Sequence, residues 1–157
     1  MIAAIRNFFT QMIEPGIGGS GVAAQRALHV ATAALLLEMM RMDASVTAEE
    51  TATVTGALQR QFGLDATEVE ILMTLASEEA RQATDYFQFT SLINKSFSAE
   101  QKIQVVEALW QVAFADGHLD AHEQHFMRKI ADLLYVPQSA YIAAKQRARG
   151  TGPGSSH

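Results

Sequence analysis

The chain is predicted to be all-α, a compact single-domain bundle of about seven or eight helices with an internal pseudo-twofold repeat of helical hairpins. Three observations lead there. Asp43-Ala44-Ser45-Val46-Thr47-Ala48-Glu49-Glu50 recurs as Asp116-Gly117-His118-Leu119-Asp120-Ala121-His122-Glu123. Each copy follows a strongly apolar stretch and precedes a mixed one, so the repeated unit is helix, acidic turn, helix. Helix starts are marked by capping boxes, in which a short polar cap residue and a Glu or Gln three residues later bond each other's backbone N–H groups. No segment alternates apolar and polar residues over strand lengths, so no sheet is expected.

The elements follow in order. Residues 2–13 form an arm in which Ile2, Ile5, Phe9 and Met12 fall at helical spacing, with Phe8 and Ile13 flanking. Pro15 to Gly21 reads as a flexible glycine-rich linker. Helices are then predicted over about 22–43, 47–62, 65–81, 85–95, 98–115, 120–135 and 138–148. Four of them open with a box: Thr47 with Glu50, Asp65 with Glu68, Ser98 with Gln101, Asp120 with Glu123. Leu64 and Val69 add a hydrophobic staple to the second. Gly63 and Pro137 mark stops. Two helices are apolar nearly all round, one carrying Leu28, Ala31, Leu35, Leu36, Leu37, Met39 and Met40, the other Ile103, Val105, Val106, Leu109, Trp110, Val112, Ala113 and Phe114. A helix without a polar face is a central one, so this pair is expected to pack together. Their partners are Val54, Leu58 and Phe62 in one repeat and Phe126, Ile130 and Leu134 in the other. The organisation expected is an arm and linker over 1–21, a helical domain over 22–149, and a disordered tail over 150–157. The arm is expected to fold back on its own domain.

Composition narrows the function. The 157 residues are 48% hydrophobic and 18% charged, enough to bury a core. The formal charge of −5 argues against nucleic acid. It is unevenly placed, −9 over residues 1–127 and +4 over 128–157. The basic Lys145, Arg147 and Arg149 sit where a last helix ends and complement its dipole. There are no cysteines, which excludes disulfides, thiolate zinc sites and cysteine nucleophiles. No apolar run is long enough to span a membrane, and the N-terminus has no signal-peptide pattern. A cytoplasmic protein is expected, with membrane contact at most peripheral, through the arm.

The chemistry on offer is acidic. The second turn gathers Asp116, His118, Asp120, His122, Glu123 and, just beyond, His125. Its pseudo-twofold mate supplies Asp43 and Glu50. Asp116, Asp120, Glu123, Asp43 and Glu50 are therefore the candidate metal ligands. Oxygen donors favour Ca²⁺, Mg²⁺ or Mn²⁺, and participation of His118 or His122 favours Zn²⁺. Against this, Asp120 and Glu123 suit a capping box, and Ala44 stands where Gly117 stands in the other copy. The spacing is not that of an EF-hand. No phosphate loop, nucleophile elbow or His-Glu-x-x-His motif is present. Glu78-Glu79 reads as a solvated edge, and Tyr86, Phe87 and Phe89 as core or interface.

Three stretches together resemble a known family: Leu36-Leu37-Glu38-Met39, then Asp85-Tyr86-Phe87-Gln88-Phe89-Thr90 with Asn94, then Leu109 to Asp120 with Glu123. The chain is similar over about residues 25–148 to the TerB-like proteins associated with bacterial tellurite resistance, in a widespread bacterial branch. The resemblance implies a compact helical fold with acidic residues on one face, metal binding, scaffolding in a stress response, and no catalysis. The function expected is thus a non-enzymatic module for protein contacts and divalent-cation binding. The alternatives are a metal-dependent enzyme built on Asp116, Asp120 and Glu123, and a membrane-surface or oligomerisation adaptor, such as a homodimer, working through the arm.

Overall fold

The computed structural model describes residues 2–17, 19, 21–43, 45–81, 87–115 and 121–151, without the side chains of residues 2, 3, 121–124, 150 and 151. The described residues form helices and no strands: α1 (Ile2–Met12), α2 (Glu14–Ile17), α3 (Gly21–Arg41), α4 (Ala48–Phe62), α5 (Ala66–Arg81), α6 (Gln88–Ser96), α7 (Ala99–Ala115), α8 (Ala121–Leu133) and α9 (Gln138–Thr151).

Local chemistry sets the helix ends. Thr47 and Glu50 exchange both bonds of a capping box at α4, with Thr47 N–H to Glu50 Oε1 at 2.8 Å and Glu50 N–H to Thr47 Oγ1 at 3.1 Å. Asp65 with Glu68 does the same for α5, and Ser98 with Gln101 for α7. The fourth predicted box includes Asp120, which lies outside the described residues. Leu64 and Val69, the staple pair, are both buried in the core. Gly63 closes α4 in the left-handed region, φ 68° and ψ 27°, where a side chain costs energy. The end of α8 is less ordinary. Tyr135 adopts φ 62°, and Val136 N–H reaches back to the Ala131 carbonyl at 2.9 Å. A Schellman turn thus precedes Pro137 without its usual glycine.

The expected central pair is present. α3 packs on α7, α8 reaches α3, and α4 reaches α7, the reciprocal contacts that a pseudo-twofold requires. Leu36 and Leu109 are 3% and 1% exposed. Val54, Leu58, Phe62, Phe126, Ile130 and Leu134 are all buried around them. The surroundings are unequal, since α3 also carries α2, α5 and α6 whereas α7 is covered by α9.

The arm folds back: α1 packs on α5 and α6, burying Ile5, Phe9 and Ile13. Met12, expected in that stripe, is 43% exposed, and Ile13 takes the inward position instead. The segment read as a flexible linker is in part helical, because α2 occupies Glu14–Ile17. Gly16 is the reason α2 can sit against α3. A Cβ there would stand 2.5 Å from the Ala23 carbonyl oxygen and 2.7 Å from Ala23's neighbour one turn on, the Ala27 Cβ. Gly16→Ala is therefore expected to cost about 1–3 kcal/mol by overpacking, read as a lower midpoint in urea. An unchanged midpoint would mean that α2 is not seated on α3.

Candidate functional site

The centre of the molecule holds two carboxyl groups. Glu38 lies in the run Leu35-Leu36-Leu37-Glu38-Met39-Met40 of α3, every member of which is buried, and Glu38 itself is 0% exposed. Glu79, near the end of α5, is also 0% exposed. Glu78-Glu79 is therefore not the solvated edge that the sequence suggested. Glu78 faces out and pairs with Arg81 at 3.0 Å, while the next residue, about 100° further round the helix, turns inward.

Both carboxyls act on the start of α6. The N-cap residue there is Phe87, which offers no capping atom and makes no side-chain cap bond. The first three N–H groups of a helix must still be satisfied. Gln88 N–H donates to Glu79 Oε2 at 2.6 Å. Phe89 N–H donates to Glu38 Oε2 at 2.8 Å. Thr90 N–H and Thr90 Oγ1–H donate to Glu38 Oε1 at 3.2 and 2.8 Å. A helix with no cap of its own is thus capped by two distant helices, and the positive end of its dipole faces negative charge. Burial holds the Glu38 carboxyl well above the ordinary carboxylate range, the adjoining Glu79 carboxyl pushes it further up, and the bonds from Thr90 and Phe89 oppose that rise. Glu79 Oε1 and Gln88 Oε1 are buried acceptors without a donor among the described residues.

The sequence contained a sign of Glu38. A carboxyl inside a helix with no polar face has to find partners in the core. It contained no sign of which partners, and Glu79 gave none at all.

The candidate metal ligands fare differently. In the first acidic turn Asp43 Oδ1 accepts from Ser45 N–H at 2.8 Å and from Ser45 Oγ at 2.7 Å. Glu50 Oε1 is held by its capping box. Asp43 is thus bonded within the turn, and Glu50 within the first turn of α4. Asp116, His118 and Asp120 lie outside the described residues, and the side chains of His122 and Glu123 are not described. His125 is exposed. Among the described residues no group of three His, Asp or Glu side chains is placed to hold a metal ion.

The basic end of α9 packs on α7. Lys145 Nζ lies 4.9 Å from the centre of the Trp110 ring, Arg149 lies 5.6 Å from that of Phe114, and Arg147 pairs with Glu107 at 2.7 Å. Alongside runs a surface furrow, three adjoining depressions of about 370, 340 and 270 Å³ along α7. Its polar wall includes Gln25, Gln104 and Gln111, with Leu28 and Ile103 as apolar lining. His29 stacks on Phe62 at 4.2 Å at one edge. Burial and the nearby Arg26 cation lower its pKa, which keeps the ring neutral.

A small helical body with two related hairpins around paired central helices, and with no helix among the described residues long and apolar enough to cross a membrane, defines the class. The family described as tellurite resistance protein TerB matches over residues 29–146, most of the chain, and the chain belongs to that family. The match takes in both hairpins, Glu38, Glu79 and the second acidic turn. Neither a curated protein nor a solved structure matches the chain.

Proposed function

We propose that this TerB-family protein is a non-enzymatic interaction module of a bacterial stress response, acting in the cytoplasm by binding protein partners in the furrow along α7. The observation that carries this reading is the chemistry of that furrow. Its amides both donate and accept hydrogen bonds, which suits the backbone of a bound segment. Of its two acids, Glu100 and Glu107, the second is already paired with Arg147. Glu38, whose acidity is most altered among the described residues, is sealed away from solvent, where no substrate reaches it. Photo-crosslinking in living cells tests the reading. A photoreactive residue at Gln104 should trap discrete protein species that one at Glu70 does not, because Glu70 is exposed on α5, which packs on α1, α3 and α4. Equal labelling at both positions would reject the furrow as the contact surface.

A divalent cation belongs to the same proposal, held by Asp116 and Glu123 with Asp120 beside them. Support comes from the contrast between the turns, since Asp43 and Glu50 are occupied by backbone donors and the second copy has Asp120 where the first has Thr47, and Gly117 where the first has Ala44. A cation that binds only the folded protein, at ~100 times its dissociation constant, adds ~2.7 kcal/mol to stability. Thermal unfolding with Ca²⁺, Mg²⁺, Mn²⁺ and Zn²⁺ in turn should show that gain for one of them. The double variant Asp116→Asn with Glu123→Gln should abolish it while leaving the metal-free protein folded. A midpoint indifferent to all four ions would reduce the acidic turns to helix punctuation.

A further inference from the structure

We propose that Glu38 and Glu79 share a single proton, forming a buried clamp that holds α6, and through α6 the N-terminal helix α1, on the body, and that loss of this proton releases that edge of the molecule. The argument starts from a count of donors and acceptors. Both side chains are fully buried, so bulk water solvates neither carboxyl. Three backbone N–H groups and one hydroxyl serve three of the four carboxyl oxygens, leaving Glu79 Oε1 with no donor among the described residues. A proton on Glu38 supplies that donor. The neutral acid still accepts from α6 through its oxygens, and its O–H turns to the neighbouring carboxylate.

Charge arithmetic agrees. One negative charge on the pair is matched by the positive end of the α6 dipole. Two would repel at close range in a medium that screens them poorly. α3 packs against α2, α4, α5, α6, α7 and α8, yet among the described residues the only charged group acting on Glu38 is Glu79. Glu14, Arg60, Arg81, Lys95 and Lys129 on those helices are exposed, and Glu107 is half-buried beside Arg147. Lys129 stands over the Phe87 ring at 5.5 Å, on the solvent side of the cap residue. Among the described residues no buried cation is there to compensate a second charge.

The mechanical consequence follows from the contacts of α6. It packs on α1 and α3, with Phe8 edge-on to Phe89 at 6.2 Å. A second charge at the α6 N-terminus weakens the seat of Phe89 and, with it, the docking of α1.

Hydrogen exchange resolved by peptide, on the full chain and corrected for the intrinsic pH dependence of exchange, tests the clamp. Between about pH 6 and about pH 10, above the ordinary carboxylate range, peptides from α1 and α6 should lose protection at least tenfold while α7 keeps its own. In Glu79→Gln the amide donates permanently to Glu38 and its carbonyl still accepts from Gln88, so this pH dependence should vanish. Carboxyl ¹³C NMR of the wild-type protein gives an independent reading, with one glutamate expected to titrate well above the others. Uniform protection across that range, the same loss in Glu79→Gln as in the wild type, or a full set of ordinary glutamate titrations would each overturn the clamp.

Discussion

Glu38→Ala is expected to destabilise the fold by about 3–5 kcal/mol, from the donors it strands in the core and the cavity it leaves. The substitution leaves Phe89 N–H, Thr90 N–H and Thr90 Oγ1–H without acceptors in the core, and each such donor costs about 1–3 kcal/mol when unpaired. It also leaves Glu79 buried beside the void. A control comes from Glu50, a carboxyl that caps a helix at the surface, where Glu50→Ala should cost only about 1 kcal/mol. Residue type is the same and the bonding role similar, so the contrast measures burial. Glu38→Gln should fall between, because its amide NH₂ meets an N–H of α6 where a carboxyl oxygen accepted. Urea unfolding at neutral pH reads all three. A loss under about 1 kcal/mol for Glu38→Ala would mean that the start of α6 is held by something else.

The pH dependence has a definite sign. Glu38 titrates higher in the folded state than in the unfolded chain, so folding favours its protonated form. That contribution is complete below the unfolded carboxylate pKa and is lost as pH rises through the folded one. Stability attributable to this group should decline on the alkaline side, opposite to a salt-bridged carboxylate.

Phe9→Ala should be comparably damaging, at about 3–5 kcal/mol. Phe9 is 1% exposed, on the helix that precedes the glycine-rich segment. Its ring belongs to the same core cluster as Phe89 and Ile93 of α6. Met12→Ala on the same helix should change stability little, since Met12 is 43% exposed and surface substitutions usually stay within about 0.5 kcal/mol. Deletion of residues 1–14 should uncover the faces of α5 and α6 and promote aggregation, visible by light scattering. A deleted protein that stays monomeric and equally stable, yet loses a partner or a membrane, would move the function to the arm and away from the furrow.

Much of the fold was legible in the residues because much of it is local. A capping box joins positions three apart, and the boxes at Thr47, Asp65 and Ser98 formed as read. Gly63 and Pro137 act within one turn of the helices that they end. The apolar runs of α3 and α7 placed both at the centre, since no polar face exists to meet water. Of the candidate site, the chain itself placed Asp43 at a helix end and Glu50 in the first turn of the next helix, and there they remain, bonded to Ser45 and Thr47. Other features depend on residues far apart. Phe87 is a poor cap by every local rule, and α6 begins there only because Glu38, 51 residues before Phe89, supplies acceptors from another helix. Glu79 looked like surface because its neighbour Glu78 is, and which of two adjacent carboxyls turns inward depends on where α3 and α6 lie. Gly16 looked like part of a flexible linker, and the approach of α3 makes it a contact. Secondary structure here follows from interactions spanning three or four residues, whereas burial of charge is decided when helices distant in sequence meet and water is excluded between them.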